Sequence, residues 1–249
     1  MIGGWTKYTT SAFNGYGRAL RRFSINDGSV YEMLGTSTKV YSITGGSTPV
    51  DVTPIRASSG SLTNPIATSI GSAIVTITDA AHGAQVGDVM IVSGASDTGG
   101  ITAAQLNIEA TILTTPTDGT FTYTANGTAT STVAAGGGAA VVVTYLLTIG
   151  SGATPGGSGW GAGTWGREGW GDPVDLSSLP GGGLIGQWSL EPYGEDMIVA
   201  PRFHSIYYWD ATNPTTRCVD ISTLAGAATT PTENIKVLMS PKARHAIAF

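Results

Sequence analysis

His82, His204 and His245 stand far apart, and none has a second His or Cys at metal-ligand spacing. In the run Ala80-Ala81-His82-Gly83 an imidazole orders a turn through its ring nitrogens more readily than it holds a metal. Glu191, Glu195, Asp196 and Asp210 could supply the paired carboxylates of glycoside hydrolysis, but nothing in their spacing sets the separation that chemistry needs. The turns beside them explain acidic residues equally well. No Gly-x-Ser-x-Gly elbow joins a strand to a helix, and Gly156-Gly157-Ser158-Gly159 is too loose to count. The glycine runs 136–138 and 181–183 lack the Lys and helix that follow a phosphate-cradling loop. The sequence therefore predicts no catalytic centre, no metal site and no bound cofactor.

The tract 150–183 carries a different signal. Trp160-Gly161, Trp165-Gly166 and Trp170-Gly171 recur at five-residue spacing, which fits neither the 3.6-residue period of a helix nor the two-residue period of a strand. Glycine beside each indole favours turns and close backbone approach. Tryptophan carries too much apolar area to be left in water at no cost. Residues 151–183 are thus expected to form an ordered Gly/Trp-rich loop whose rings are buried by other parts of the assembly. The same rings could instead stack on sugars. Trp160, Trp165 and Trp170, together with Trp188 and Trp209, are the candidate assembly or ligand contacts.

The elements around this tract read as β-structure throughout. Residues 1–60 alternate apolar and polar side chains in short runs, with Asn26-Asp27-Gly28 and Gly45-Gly46 as turn signals, and predict a first meander. Residues 61–150 are richer in Thr and Ala and poorer in aromatics. Strands are expected at 73–78, 89–94, 109–114, 120–124 and 140–145, forming a small inserted β-barrel-like module. Residues 184–249 return to the first style, with strands expected at 184–190, 196–201, 205–210 and 216–221 and a turn over Glu191-Pro192-Tyr193-Gly194. Short strands punctuated every 8 to 12 residues suit a sandwich, a barrel or a propeller blade. The chain stops at Phe249 inside an apolar run, which predicts that further strands follow in a longer protein.

Composition agrees with a turn-rich all-β protein. Gly accounts for 36 of 249 residues, about twice the usual share, and charged residues for 12%, about half of it. Sparse charge is also what surfaces covered by other subunits show. A net charge of −5 supplies no basic field for nucleic acid, yet leaves a channel wall to which passing DNA would not adhere. The one cysteine, Cys218, excludes an internal disulfide framework and reads as a small buried apolar residue. No apolar run has the length of a membrane-spanning helix, and the first ten residues do not read as a secretory signal.

Three groups of motifs, taken in order, resemble large structural tail proteins of tailed bacteriophages, in particular the nozzle or tail tubular protein of short-tailed phages. The first is Gly17-Arg18-Ala19-Leu20, Asp27-Gly28, Leu34-Gly35-Thr36, Lys39-Val40-Tyr41 and Asp51-Val52-Thr53-Pro54. The second, His82-Gly83, Gly87-Asp88 and Phe121-Thr122-Tyr123, is similar to small barrel inserts of phage virion proteins. The third is the Trp-Gly series followed by Trp188-Ser189-Leu190 and Tyr207-Tyr208-Trp209-Asp210. The resemblance implies β-propeller-like meanders with an inserted small β-barrel or sandwich module. It also implies a non-catalytic virion protein that forms a homo-oligomeric ring, typically a hexamer, around the DNA channel. Its partners would be adaptor or portal-proximal proteins and fibre proteins, without stable membrane insertion. A host-receptor or glycan-binding tail module using the Trp-Gly loop is the alternative, and a cell-wall-degrading tail enzyme a third.

Overall fold

In the computed structural model the described residues are 7–149, 186–227, 229–240 and 245–249. Their architecture is all-β: antiparallel sheets, with one four-residue helix among the described residues. The chain divides into two compact units, Ile55–Thr148 and the pair Met1–Pro54 with Ile149–Phe249.

The middle unit is a sandwich of two sheets. Its strands are β5 (Ile55–Ser58), β6 (Ile66–Thr68), β7 (Ile74–Thr78), β8 (Val89–Ser93), β9 (Glu109–Thr111), β10 (Thr114–Thr117), β11 (Thr120–Thr124), β12 (Val133–Gly136) and β13 (Val142–Leu146). One sheet runs β10-β11-β7-β6-β12 and the other β5-β13-β8-β9. Strand alternation explains the facing. Phe121 lies opposite Ile77 and Tyr123 opposite Val75, all buried, while Thr120 and Thr122 alternate with them opposite Thr78 and Thr76. Met90, Val92, Val143 and Tyr145 of the second sheet close the same core. The sheets face each other as a sandwich and do not close into a barrel. The ends β10, β12, β5 and β9 each pair on one side within their sheet.

Three features of this unit differ from the sequence expectation. The run 109–114 is two strands in different sheets, because the chain crosses the sandwich at Ile112, whose side chain is buried in the core. Helix α1 (Ala103–Leu106) starts at Thr102, whose N–H donates to Gln105 Oε1, and the Tyr123 hydroxyl donates to the Leu106 carbonyl. Ile55–Ser58 pairs with β13 and so belongs to this unit rather than to the first meander.

The other unit stacks three sheets. β1 (Gly17–Ser24), β2 (Val30–Thr36), β3 (Val40–Thr44) and β4 (Val50–Asp51) form an up-and-down meander. β14 (Trp188–Tyr193), β15 (Asp196–Pro201), β16 (Tyr207–Trp209) and β17 (Val219–Asp220) form a second, and β18 (Val237–Met239) with β19 (Ala246–Ala248) a hairpin. Register puts Trp188, Leu190, Met197, Val199 and Trp209 on one face of the second meander. That face meets Phe23 and Tyr31 of the first. Ile198, Ala200 and Tyr208 lie on the opposite face and pack with Val237, Met239 and Ala248 of the hairpin. Burial on both faces is why β15 reads as the unbroken apolar run Met197-Ile198-Val199-Ala200 instead of alternating. β14 runs beside both β1 and β18. Among the described residues these sheets close into no ring of propeller blades. The turn expected over residues 191–194 begins later, since Glu191, Pro192 and Tyr193 all pair with β15. Pro192 is accommodated because β14 is an edge strand, paired within its sheet only with β15.

Candidate functional site

Trp160, Trp165 and Trp170, with the rest of the loop expected at 151–183, lie outside the described residues. Trp188 and Trp209 are both in the core of the stacked unit, 5% and 1% exposed. The Trp188 indole N–H donates to the Thr36 carbonyl at 2.6 Å, across 152 residues of sequence. Gly35 leaves the space that this ring fills, for a Cβ there would sit 2.4 Å from its Cδ1. Trp209 meets Phe23 and Tyr31 edge-on, at centroid distances of 6.2 and 5.2 Å.

His82 orders its turn as expected: Nδ1 accepts from the Ala84 N–H at 2.9 Å. The ring packs edge-on against Phe121. Arg56 Nη2 donates to the His82 carbonyl, and its guanidinium lies over the Tyr145 ring. The Tyr145 hydroxyl donates to Asp79 Oδ2 at 2.6 Å, and burial, then this carboxylate, push the phenol pKa upward. Tyr145→Phe leaves the buried Asp79 oxygen without its donor. A loss of about 1–3 kcal/mol is expected, read by hydrogen exchange of the β13 amides; an unchanged exchange rate would show that the bond contributes nothing.

The four acids separate into two places. Glu195, Asp196 and Asp210 line a groove of about 540 Å³ together with Tyr193 and Tyr208. Two of them are committed to local hydrogen bonds. Asp196 accepts from the Tyr208 hydroxyl and the Ala211 N–H. Asp210 accepts from Thr212 and Asn213, and those bonds hold its carboxyl below the usual carboxylate pKa. Among the described residues no three His, Cys, Asp or Glu side chains gather as metal ligands.

The strongest polar constellation was not legible as a motif. Asp51 at the end of β4 accepts from Lys39 Nζ at 2.9 Å and from both Arg217 Nη atoms at 3.1 Å, while Arg217 also donates to the Thr53 carbonyl. Thr53 Oγ1 and N–H donate to the same carboxylate. Burial alone would raise the Asp51 pKa, but the Thr53 and Lys39 hydrogen bonds and the Arg217 charge more than offset it and hold the group low. The Cys218 N–H donates to the Val52 carbonyl, and burial pushes its thiol pKa up, as suits an inert buried sulfur.

A second groove, about 440 Å³, runs along β1, β14 and the approach to β18. Arg21, Arg202 and Lys236 line it with a single acid, Glu191. Arg21 and Glu191 approach only to 3.8 Å, an ionic contact longer than a hydrogen bond. Arg202 is carried on a strained turn: Phe203 has φ +65°, a region a bulky residue enters at a cost of about 1–3 kcal/mol. Asn234 holds that turn. Its carbonyl accepts the Phe203 N–H, and its amide donates to the His204 carbonyl. The Arg202 guanidinium then rests over the Phe203 ring at 4.8 Å, and its buried Nε has no hydrogen-bond partner.

Comparison with family models and with curated proteins finds no match. Among solved structures, the phage phi92 endosialidase matches 89% of this chain and 32% of its own, at 16% identity and a TM-score of 0.30. The chain spans about a third of that protein's length.

Proposed function

We propose that the protein is a structural, non-catalytic component of a bacteriophage tail in the virion, of the nozzle or tail-tube type. In this reading it forms a homo-oligomeric ring, a hexamer, around the channel through which DNA passes, and it contacts adaptor or portal-proximal proteins and fibre proteins. The sequence motifs of the first meander, the middle module and the Trp-rich third segment, taken in chain order, support the family resemblance. The observation that carries the reading is how the stacked unit uses its polar side chains. The Trp188–Thr36 and Arg217–Asp51 hydrogen bonds join segments 152 and 166 residues apart in sequence. Face-to-face antiparallel sheets tied in this way make a stiff body, which is what a tube wall under ejection load requires. Imaging of the intact particle tests it. A closed ring on the tail axis is the expected result. A trimer projecting from the side or tip of the tail would overturn it in favour of host-receptor binding.

A further inference from the structure

The groove along β1, β14 and the approach to β18 is lined by more cations than acids. The chain carries 12 Lys and Arg against 17 Asp and Glu, yet three cations face one acid here. Like charges gathered in one concavity favour an anion that neutralises them. Arg202 sharpens the point. Its side chain is held in place by a strained turn and an aromatic ring. Arginine's planar fork suits the paired oxygens of a carboxylate.

The remaining lining narrows the class. Glu191 can only accept hydrogen bonds when ionised, so a phosphodiester chain, which has no donor to offer it, would meet repulsion there. A polyhydroxylated ligand offers donors to Glu191 and both donors and acceptors to Gln187. Leu20 and Ile235, 68% and 54% exposed, give the groove the apolar wall against which a pyranose ring face can rest. The volume falls within the range of small-ligand sites. We infer that this groove binds a carboxylated sugar, its carboxylate on Arg202 with Arg21 and Lys236 and its hydroxyls toward Glu191 and Gln187. The inference does not depend on where in an assembly the protein sits.

The test is a nitrogen–proton correlation titration of the full chain with D-glucuronate, with D-glucose and inorganic phosphate as the paired probes. Saturable shifts at the Gln187, Ser189, Arg202 and Lys236 amides with glucuronate are expected, and binding of glucose and of phosphate at least about tenfold weaker. Arg202→Gln should weaken glucuronate binding by about tenfold or more. Lys236→Gln, at an exposed position, should weaken it measurably and serves if the first variant disturbs the turn. Absence of saturable binding overturns the proposal. So does glucuronate affinity unchanged in both variants. Phosphate binding as tight as glucuronate's would reduce the groove to a cation cluster and equally overturn a sugar-acid site.

Discussion

Asp51→Ala is expected to destabilise the stacked unit by about 3–5 kcal/mol, the cost of removing one partner from a largely buried ion pair. The reason lies in what stays behind. The Lys39 side chain is 4% exposed and lies 2.9 Å from Asp51 Oδ2. Arg217 gives both of its Nη groups to the same carboxylate. Truncation leaves two cations facing each other where a carboxylate had separated them, and it also removes the acceptor of Thr53. Arg217→Ala should cost less, because Asp51 keeps Lys39 and Thr53. Hydrogen exchange of the β2 and β15 amides reads the loss within this unit. A loss of under about 1 kcal/mol would mean that the network is solvated and marginal, as exposed pairs are.

The same group makes stability depend on pH with a definite sign. The folded-state pKa of Asp51 lies below its ordinary value of 3.8. Its contribution is therefore fully present above that ordinary value and is lost as pH falls through the lower, folded-state value. Wild-type protein should lose stability on acidification below about pH 4 more steeply than Asp51→Ala does, since the variant has already lost this carboxylate. Parallel acid profiles for the two would show that Asp51 titrates alike in folded and unfolded chains.

How much of this was legible in the sequence depended on whether an element carries its own pattern. β11 alternates Thr with Phe121 and Tyr123, and β15 is an apolar run bounded by Asp196 and Pro201; both announce themselves by period and length. β6 and β12 do not. They are three and four residues long, and the small side chains of Ala134 and Ala135 in β12 give no alternation to read. The split of the 109–114 run was hidden because Ile112 is apolar in a continuing strand and equally apolar at a crossing into the core. His82 could be assigned to a turn because the turn is local. The Asp51 network and the basic groove could not be found, because each is assembled from distant segments. Arg21, Arg202 and Lys236 sit in three separate parts of the chain and share no motif. The strained Phe203 gave no warning either, since nothing in Pro201-Arg202-Phe203-His204 asks for a positive φ; Asn234, some thirty residues on, imposes it.

Trp209→Ala should cost about 3–5 kcal/mol, the range for emptying a large aromatic site in a core that cannot fully collapse. Collapse is restricted here by the neighbours. Phe23 and Tyr31 belong to paired antiparallel strands and lie opposite each other in register, so neither can move far without breaking the β1–β2 ladder. Trp209 is likewise fixed opposite Met197 of β15. The indole is therefore a wedge between two meanders, and its removal leaves a void bounded by sheets on both sides. Trp209→Phe discriminates between volume and polarity. The Trp209 Nε1 donor is buried without a partner, so phenylalanine removes an unsatisfied group while keeping much of the ring. Its loss should be less than half that of the alanine variant, measured by exchange at the β2 and β15 amides. Equal losses for the two variants would show that the six-membered ring alone cannot hold the meanders together and that the full width of the indole is what spaces them.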